Sequence, residues 1–338
     1  MTAHVLKVRN VNQALAEGLA WLRVAGHKED SRNGPVLVAP GPVLTEYSRP
    51  MERVLFSAQR DANPYFHLME AIWMLAGKND LAFPARFNKR MREFSHDGEV
   101  LHGAYGFRWR EWFGVDQLDI LVAHLREQPS SRRAVLEMWS ANGDLVTSEG
   151  AGGIAMPDIP CNTHAYFAVE KGALNMTVCC RSNDIVWGAY GANSVHFSLL
   201  QEWVAAALGL RVGRLYQFSS NYHAYCALPG IAEMLETPQC DDRYTAGFAA
   251  HYPLMAPGED PWRLIFEAEA FCERPGPSLH GVGDTAFFRN VVEPMWRSWE
   301  ERRTGGGDGM APLQDCMAED WRRAAMEWIE RRRVRAVS

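Results

Sequence analysis

Cys161 follows a proline in IPCNTH, at the mouth of a predicted strand, where a thiol is held rigidly and partly exposed. A thiol so placed becomes a nucleophile once nearby cations favour its thiolate. A cysteine is also a small apolar side chain, and burial as such is the commoner fate. Arg132, Arg133 and Arg181 lie at the edges of predicted strands, where three guanidinium groups can converge on a phosphate through paired hydrogen bonds. Each taken singly reads as a surface or ion-pair arginine. The same cations would lower the Cys161 pKa, so the nucleophile and phosphate readings support one another.

Glu70 is the one acid in the apolar stretch YFHLMEAIWMLAG. A buried carboxyl resists ionisation, which suits a general acid or base, and equally a buried carboxyl satisfied by backbone or an arginine. In WGAYGANSVH the glycines permit close backbone approach, and Asn193 offers an amide at a helix start, either as an N-cap or as a group that reads a base. His223 and Tyr225, two apart in SSNYHAY, share one face of a strand and can present two polar groups to one hydroxyl. A satisfied core pair is the commoner meaning of that spacing.

The elements that must position these groups follow from periodicity. Residues 11–26 read as an opening helix stopping at Gly26; GPVLVAPGPVLTEY and ERVLF read as short strands. From Pro64 a core helix runs to Gly77, and DQLDILVAHLREQ is an amphipathic helix closed by Pro129. RRAVLEMW alternates like a strand, SANGDLVTSEGAGGIAM reads as a flexible loop, and HAYFAVEKGALNMTVCCRS reads as two strands about a Lys171-Gly172 turn. WGAYGAN reads as a loop before the helix SVHFSLLQEWVAAALGL, VGRLYQFSS as a further strand, and DWRRAAMEWIERRRVRAV as a terminal helix. Strands and helices mix without a regular βαβ beat.

The chain of 338 residues is 47% apolar and 22% charged, which excludes disorder for its bulk. Its 35 Lys+Arg against 41 Asp+Glu give a net charge of −6, so an anionic ligand needs a local arginine cluster and no nucleic-acid-coating surface or nucleic-acid partner is expected. No signal-like start and no membrane-length apolar run is visible, so a soluble cytoplasmic protein is expected. Seven cysteines without CxxC or CxxC/HxxxH spacing argue against a disulfide scaffold and a metal site. GxGxxG, GxxxxGK[ST], HExxH and GxSxG are absent.

Taken in order, the motifs resemble the thymidylate synthase family. EAIWMLAGKND resembles the family's ELLWFLxGxTN, GAYGFRWR its GPVYGxQWR, SRRAV its SRRII, IPCN its PPCH and CRSND its QRSxD. GAN precedes a helix like the family's PFN, and NYHAY resembles DxHxY. The resemblance spans about residues 64–226 and implies an α/β (α+β) three-layer fold whose large mixed sheet forms a dimer interface. The whole of 1–338 is then one domain, with 240–338 a divergent extension of it.

The resemblance also assigns roles. Cys161 is the nucleophile that adds to C6 of a pyrimidine nucleotide, so that C5 attacks the one-carbon unit of 5,10-methylenetetrahydrofolate. Glu70 organises proton transfer and Tyr105 assists loss of the C5 proton. Arg181 and Ser182 hold the 5′-phosphate, with Arg132 and Arg133 reaching across from the second subunit of a homodimer with composite sites. Arg49, in competition with Arg53, is the distal phosphate arginine. Asp184 contacts the folate, and His223 with Tyr225 binds the sugar 3′-hydroxyl. Asn193 matches the amide that reads uracil where cytosine-specific relatives carry a carboxylate, which favours dUMP over dCMP. WGAYGAN is one residue longer than the family's LGLPFN, however, and an ungapped alignment places Ala192 there instead.

Departures bear on the last step. Asn162 replaces the histidine after the nucleophile, Tyr166 replaces a glutamine, the family's tryptophans give way around Met91 and Phe94, and the closing C-terminal segment is not recognisable. Those groups shield an exocyclic methylene from water so that hydride can reduce it. The expected product is therefore the 5-hydroxymethyl nucleotide, as in the phage or biosynthetic pyrimidine hydroxymethylase branch, ahead of thymidylate. A catalytically silent nucleotide- or RNA-binding relative is the alternative of another class, disfavoured because Cys161, Glu70, Tyr105 and the arginines occur together.

Overall fold

A computed structural model of the chain describes residues 3–31, 34–145, 157–226, 228, 230–274 and 284–337. The chain opens with β1 (His4–Val8) and α1 (Val11–Ala25), whose Asn10 cap accepts the N–H groups of Asn12 and Gln13. β2 (His27–Ser31), β3 (Gly34–Val38) and β4 (Val43–Tyr47) follow. α2 (Pro64–Leu75) begins with proline at its first turn behind an Asn63 cap and is buried along its whole length; Gly77 beyond it takes φ 70°.

Next come α3 (Ala82–Phe87), a 3-10 segment Lys89–Phe94, α4 (Tyr105–Arg110), α5 (Gln117–Glu127) capped by Asp116, β5 (Val135–Glu137) and α6 (Ala141–Asp144). β6 (Asn162–Glu170) and β7 (Ala173–Cys180) form a hairpin whose turn residues, Lys171 and Gly172, both have positive φ, as a two-residue turn between twisted strands requires. β8 (Asn183–Asp184), α7 (Asn193–Ala207), β9 (Arg211–Ser219) and β10 (Tyr222–Tyr225) complete the strands. α8 (Ile231–Glu236), α9 (Pro261–Glu273), α10 (Glu293–Thr304), α11 (Met310–Leu313) and α12 (Glu319–Val337) form the C-terminal part, and α9, α10 and α12 pack against α2.

The strands make two mixed sheets, β1-β4-β9-β7-β6-β5 and β2-β3-β10-β8. Across the larger one the register aligns Leu136, Ala165, Val178, Gln217, Thr45 and Leu6 in one row, all buried beneath helices. The flanking rows, Val135-Tyr166-Thr177-Tyr216-Glu46-Lys7 and Glu137-His164-Cys179-Phe218-Leu44-Val5, face outward and are half-buried or exposed. The alternation is the period-two pattern of a half-covered sheet. The α/β (α+β) expectation, with a large mixed sheet, holds.

Three local expectations are corrected. ERVLF is not a strand: residues 52–56 are buried and irregular, and their backbone is satisfied by side chains. Asn12 Nδ2 donates to Val54 O, Asn12 Oδ1 accepts Phe56 N–H, and Tyr244 Oη accepts Val54 N–H. WGAYGAN is no loop, because Ile185–Ala192 forms a π-helical turn continuous with α7. A wide turn of this kind accommodates an extra residue without breaking the helix it joins. RRAVLEMW contributes strand only over Val135–Glu137. Most of SANGDLVTSEGAGGIAM, residues 146–156, lies outside the described residues, and no described helix is long and apolar enough to cross a membrane.

Candidate active site

The C-terminal ends of β7 and β8 meet the start of β6 and the β10 edge around a cavity of about 690 Å³, lined by Cys161, Arg181, Ser182, His223 and Tyr225 among others. This is the volume range of small-ligand pockets. Five of the residues singled out in the sequence thus share one wall system.

The loop carrying Cys161 is fixed from two sides. Arg181 N–H donates to Cys161 O (2.8 Å), Arg181 Nε to Pro160 O (2.9 Å) and Arg181 Nη2 to Ile159 O (3.1 Å), so this guanidinium clamps the residues ahead of the thiol. From the other side Tyr105 Oη accepts the N–H groups of Cys161 and Asn162, both at 3.1 Å. A phenol oxygen with both lone pairs so engaged has one remaining capacity, to donate its proton. Burial, then the neighbouring Cys161, holds the Tyr105 pKa well above its ordinary value, so the phenol keeps that proton.

At the sugar end, His223 Nδ1 pairs with Asn221 Oδ1 at 2.7 Å, and the His223 ring stands perpendicular to Tyr225 at 5.2 Å between centroids. Burial lowers the His223 pKa, keeping the ring neutral. The β10–β8 pairing places His223 beside Asp184, and Asn183 N–H donates to Asn221 O at 2.8 Å. Asn193 is buried at the first residue of α7 and directs its amide Nδ2 toward Asn183 Oδ1 at 3.4 Å.

Asp184 caps the π-helical turn by accepting the N–H groups of Val186 and Trp187. Burial outweighs those bonds and the nearby Arg60, raising its carboxyl to about 6. Trp187 is 42% exposed, and the buried Arg60 lies 3.9 Å beneath its ring. Arg60 gives its Nε to Val186 O, and burial lowers its pKa to about 10.

Glu70, on α2, is buried against His196 of α7, with Glu70 Oε2 and His196 Nε2 3.0 Å apart, close enough for an ion pair but not aligned as a hydrogen bond. His67 lies nearby on α2, its pKa held well below normal by burial, then by Arg60 and His196. Asp158, on the cavity wall, accepts Gly103 N–H at 2.8 Å, and burial raises its carboxyl. On the same wall stands Asp144, bound by Arg108 at 2.6 and 2.9 Å, by His102 Nε2 at 2.8 Å and by Ser140 N–H at 2.8 Å.

Three expected phosphate groups are not brought to the cavity within one protomer. Arg132 and Arg133 are exposed just ahead of edge strand β5, and Arg49 is exposed beyond β4, its N–H on Arg9 O. Arg53 is removed from that competition: it is 2% exposed and paired with buried Glu202. His196, Trp187, Asn221 and the Arg108-Asp144-His102 set were not singled out in the sequence. His196 and Trp187 each stand three positions after a residue that was, Asn193 and Asp184, and that helical spacing was the available signal. No described group of His, Cys, Asp and Glu is arranged to hold a metal.

A family model described as thymidylate synthase matches residues 30–242. A deoxyuridylate hydroxymethyltransferase of Pseudomonas phage M6 is 45% identical over 347 aligned residues, covering 98% of this chain and 95% of that protein. One of Bacillus phage SP01 is 34% identical, covering 54% of this chain and 49% of its own. A thymidylate synthase of Symbiobacterium thermophilum is 31% identical, covering 46% of this chain and 57% of its own.

Proposed function

The chain belongs to the thymidylate synthase family, and on that premise we propose that it transfers the one-carbon unit of 5,10-methylenetetrahydrofolate to C5 of a deoxypyrimidine 5′-monophosphate, dUMP ahead of dCMP, releasing the 5-hydroxymethyl nucleotide. The observation that carries this reading is the near-full-length similarity to a protein named for hydroxymethyl transfer to deoxyuridylate. The clustering of Cys161, Arg181, Ser182, His223 and Tyr225 on one cavity supports it.

In this reading Cys161 Sγ adds to C6 of the base, Glu70 organises proton transfer, and Tyr105, whose oxygen already accepts two N–H groups, assists loss of the C5 proton by donating its O–H to the water that takes that proton up. Arg181 and Ser182 take the phosphate; His223 and Tyr225 take the 3′-hydroxyl. Asn193 reads the uracil edge; its buried amide at the first residue of α7 supports that role. The folate supplies carbon at the formaldehyde level. Asp184 suits its ring N–H groups as an acceptor, and the exposed face of Trp187 suits a flat pterin. Hydroxymethyl rather than methyl transfer leaves the folate unoxidised.

A phosphate dianion needs more than the single guanidinium that lines the cavity among the described residues. Arg132 and Arg133 of a second copy supply it when the open face of the six-stranded sheet forms a homodimer. That face carries Tyr166, Phe218, Leu44 and Val135, and burying it removes apolar area from water. Arg49, which is not among the residues lining the cavity, is the distal phosphate arginine of this reading. The site of action is the cytoplasm.

The test incubates purified protein with methylenetetrahydrofolate and, separately, dUMP, dCMP and CMP, reading product mass and dihydrofolate absorbance. A gain of CH2O without dihydrofolate is expected with dUMP. A gain of CH2 with stoichiometric dihydrofolate would replace this reading by thymidylate synthesis. Full activity in Cys161→Ala would remove the covalent mechanism. For the composite site, Cys161→Ala mixed with Arg132→Ala/Arg133→Ala is expected to regain activity that neither has alone.

A further inference from the structure

Glu70, the proton-transfer acid of the roles above, forms a buried pair with His196, to which those roles assign nothing. Glu70 is 8% exposed and His196 4%. Glu70 Oε2 and both ring nitrogens of His196 are buried without a hydrogen-bond partner in the protein. Buried polar atoms are nearly always bonded, and exceptions mark strain or function. Three of them where α2 meets α7, with Glu70 Oε2 3.0 Å from His196 Nε2, are atoms available to exchange protons.

We propose that His196 is the proton-relay partner of Glu70 and takes up the proton released when water adds to the exocyclic carbon at C5. This rests on the hydroxymethyl reading. The water oxygen bonds to the exocyclic carbon, and the C5=CH2 electron pair moves into the C5–C4–O4 enolate. The water proton passes to the Glu70 carboxylate and on to His196 Nε2, giving an imidazolium. Collapse of the enolate restores C4=O, places the pair between C5 and C6 and expels the Cys161 thiolate; the imidazolium then returns its proton to solvent. His196 acts through Glu70 and is a positioning residue.

Other titratable groups face the pair. From α2 His196 faces His67, whose pKa is lowered by burial first and by Arg60 after it. From the connection into β6, Asp158 faces Glu70, burial raising its carboxyl. Asn193 stands one turn earlier on α7, so the base-reading amide and the relay share a helix face. The remaining α7 acid, Glu202, is neutralised by Arg53.

The experiment compares the full-length wild type with His196→Gln, following in single turnovers both tritium release from [5-3H]dUMP and formation of the CH2O product. Tritium release within about threefold of wild type is expected, with product formation slowed about tenfold or more and the pH profile of that step displaced. In parallel, the histidine ring signals of 13C-labelled protein are titrated in wild type and Glu70→Gln. The signal that disappears in His196→Gln should change midpoint when Glu70 is neutralised. Equal loss of tritium release and product, an unchanged pH profile, or a midpoint indifferent to Glu70→Gln would overturn the relay. If His196→Gln does not fold, the signal is assigned with His196→Asn and the Glu70→Gln titration decides alone. A wild type that makes no CH2O product from any nucleotide fails the hydroxymethyl reading itself, and the relay with it.

Discussion

Asp144 and Glu70 are both carboxylates withdrawn from water near one cavity, and they are treated in opposite ways. Burial pulls the Asp144 carboxyl upward, but the Arg108 fork, the Ser140 N–H and His102 outweigh it and hold it below its ordinary value. Its side chain is locked as an anion, and Arg108, itself fully buried, also bonds Met138 O and His102 O. Glu70 has a histidine within 3.0 Å but an oxygen without a hydrogen bond. A carboxylate saturated with donors ties α6 to α4 and to the residues before it; one left undersatisfied beside a base is free to move a proton.

The largest effect that would break this contrast is on Glu70→Gln. Its kcat should fall by about 10²–10⁴-fold while the thermal midpoint stays constant or rises; a clear drop in midpoint would put Glu70 in the same structural class as Asp144. Next, Arg108→Met strands a buried anion and should cost about 3–5 kcal/mol in denaturant unfolding, part of it recovered when Asp144→Asn is added. No recovery would mean that the Arg108 contacts to backbone, rather than the ion pair, carry the energy. Tyr105→Phe removes the acceptor shared by the N–H groups of Cys161 and Asn162 and should lower stability by about 1–3 kcal/mol along with the rate.

A pH effect extends the contrast to a third buried carboxyl, Asp320, which accepts Tyr244 Oη–H at 2.9 Å and whose carboxyl burial raises to about 7. The folded chain keeps a proton there that the unfolded chain releases near 3.8, so stability falls as pH rises from about 4 to about 7. Asp320→Asn should flatten that slope, measured as the unfolding midpoint against pH. An unchanged slope would show that Asp320 is paired as Asp144 is.

Much of this was legible before the coordinates. The helices at 11–25 and 117–127 announced themselves through apolar periodicity and the stops at Gly26 and Pro129, and Lys171-Gly172 through turn chemistry. ERVLF misled because alternation shows only that side chains are buried alternately or together; Asn12 and Tyr244, far away in sequence, supplied the backbone partners a sheet would have given. The π-helical turn carries no propensity signature, so its glycines read as loop. His196 sits in an apolar helix where a histidine looks like any core residue until its neighbour on α2 is known.

The sequence by itself determined the types and order of the reactive groups: the thiol after a proline, the paired arginines, the lone acid in an apolar helix, the His-x-Tyr strand. These are local facts, and side-chain chemistry survives whatever the chain does next. Only the tertiary structure decided which of them meet. It joined Arg181 to the Cys161 loop, buried Arg53 on Glu202, left Arg132 and Arg133 outside the protomer's own cavity, and set Glu70 against His196, 126 positions away. Proximity across such separations depends on sheet register and helix packing, which are settled by the burial of the whole core and are written in no single segment.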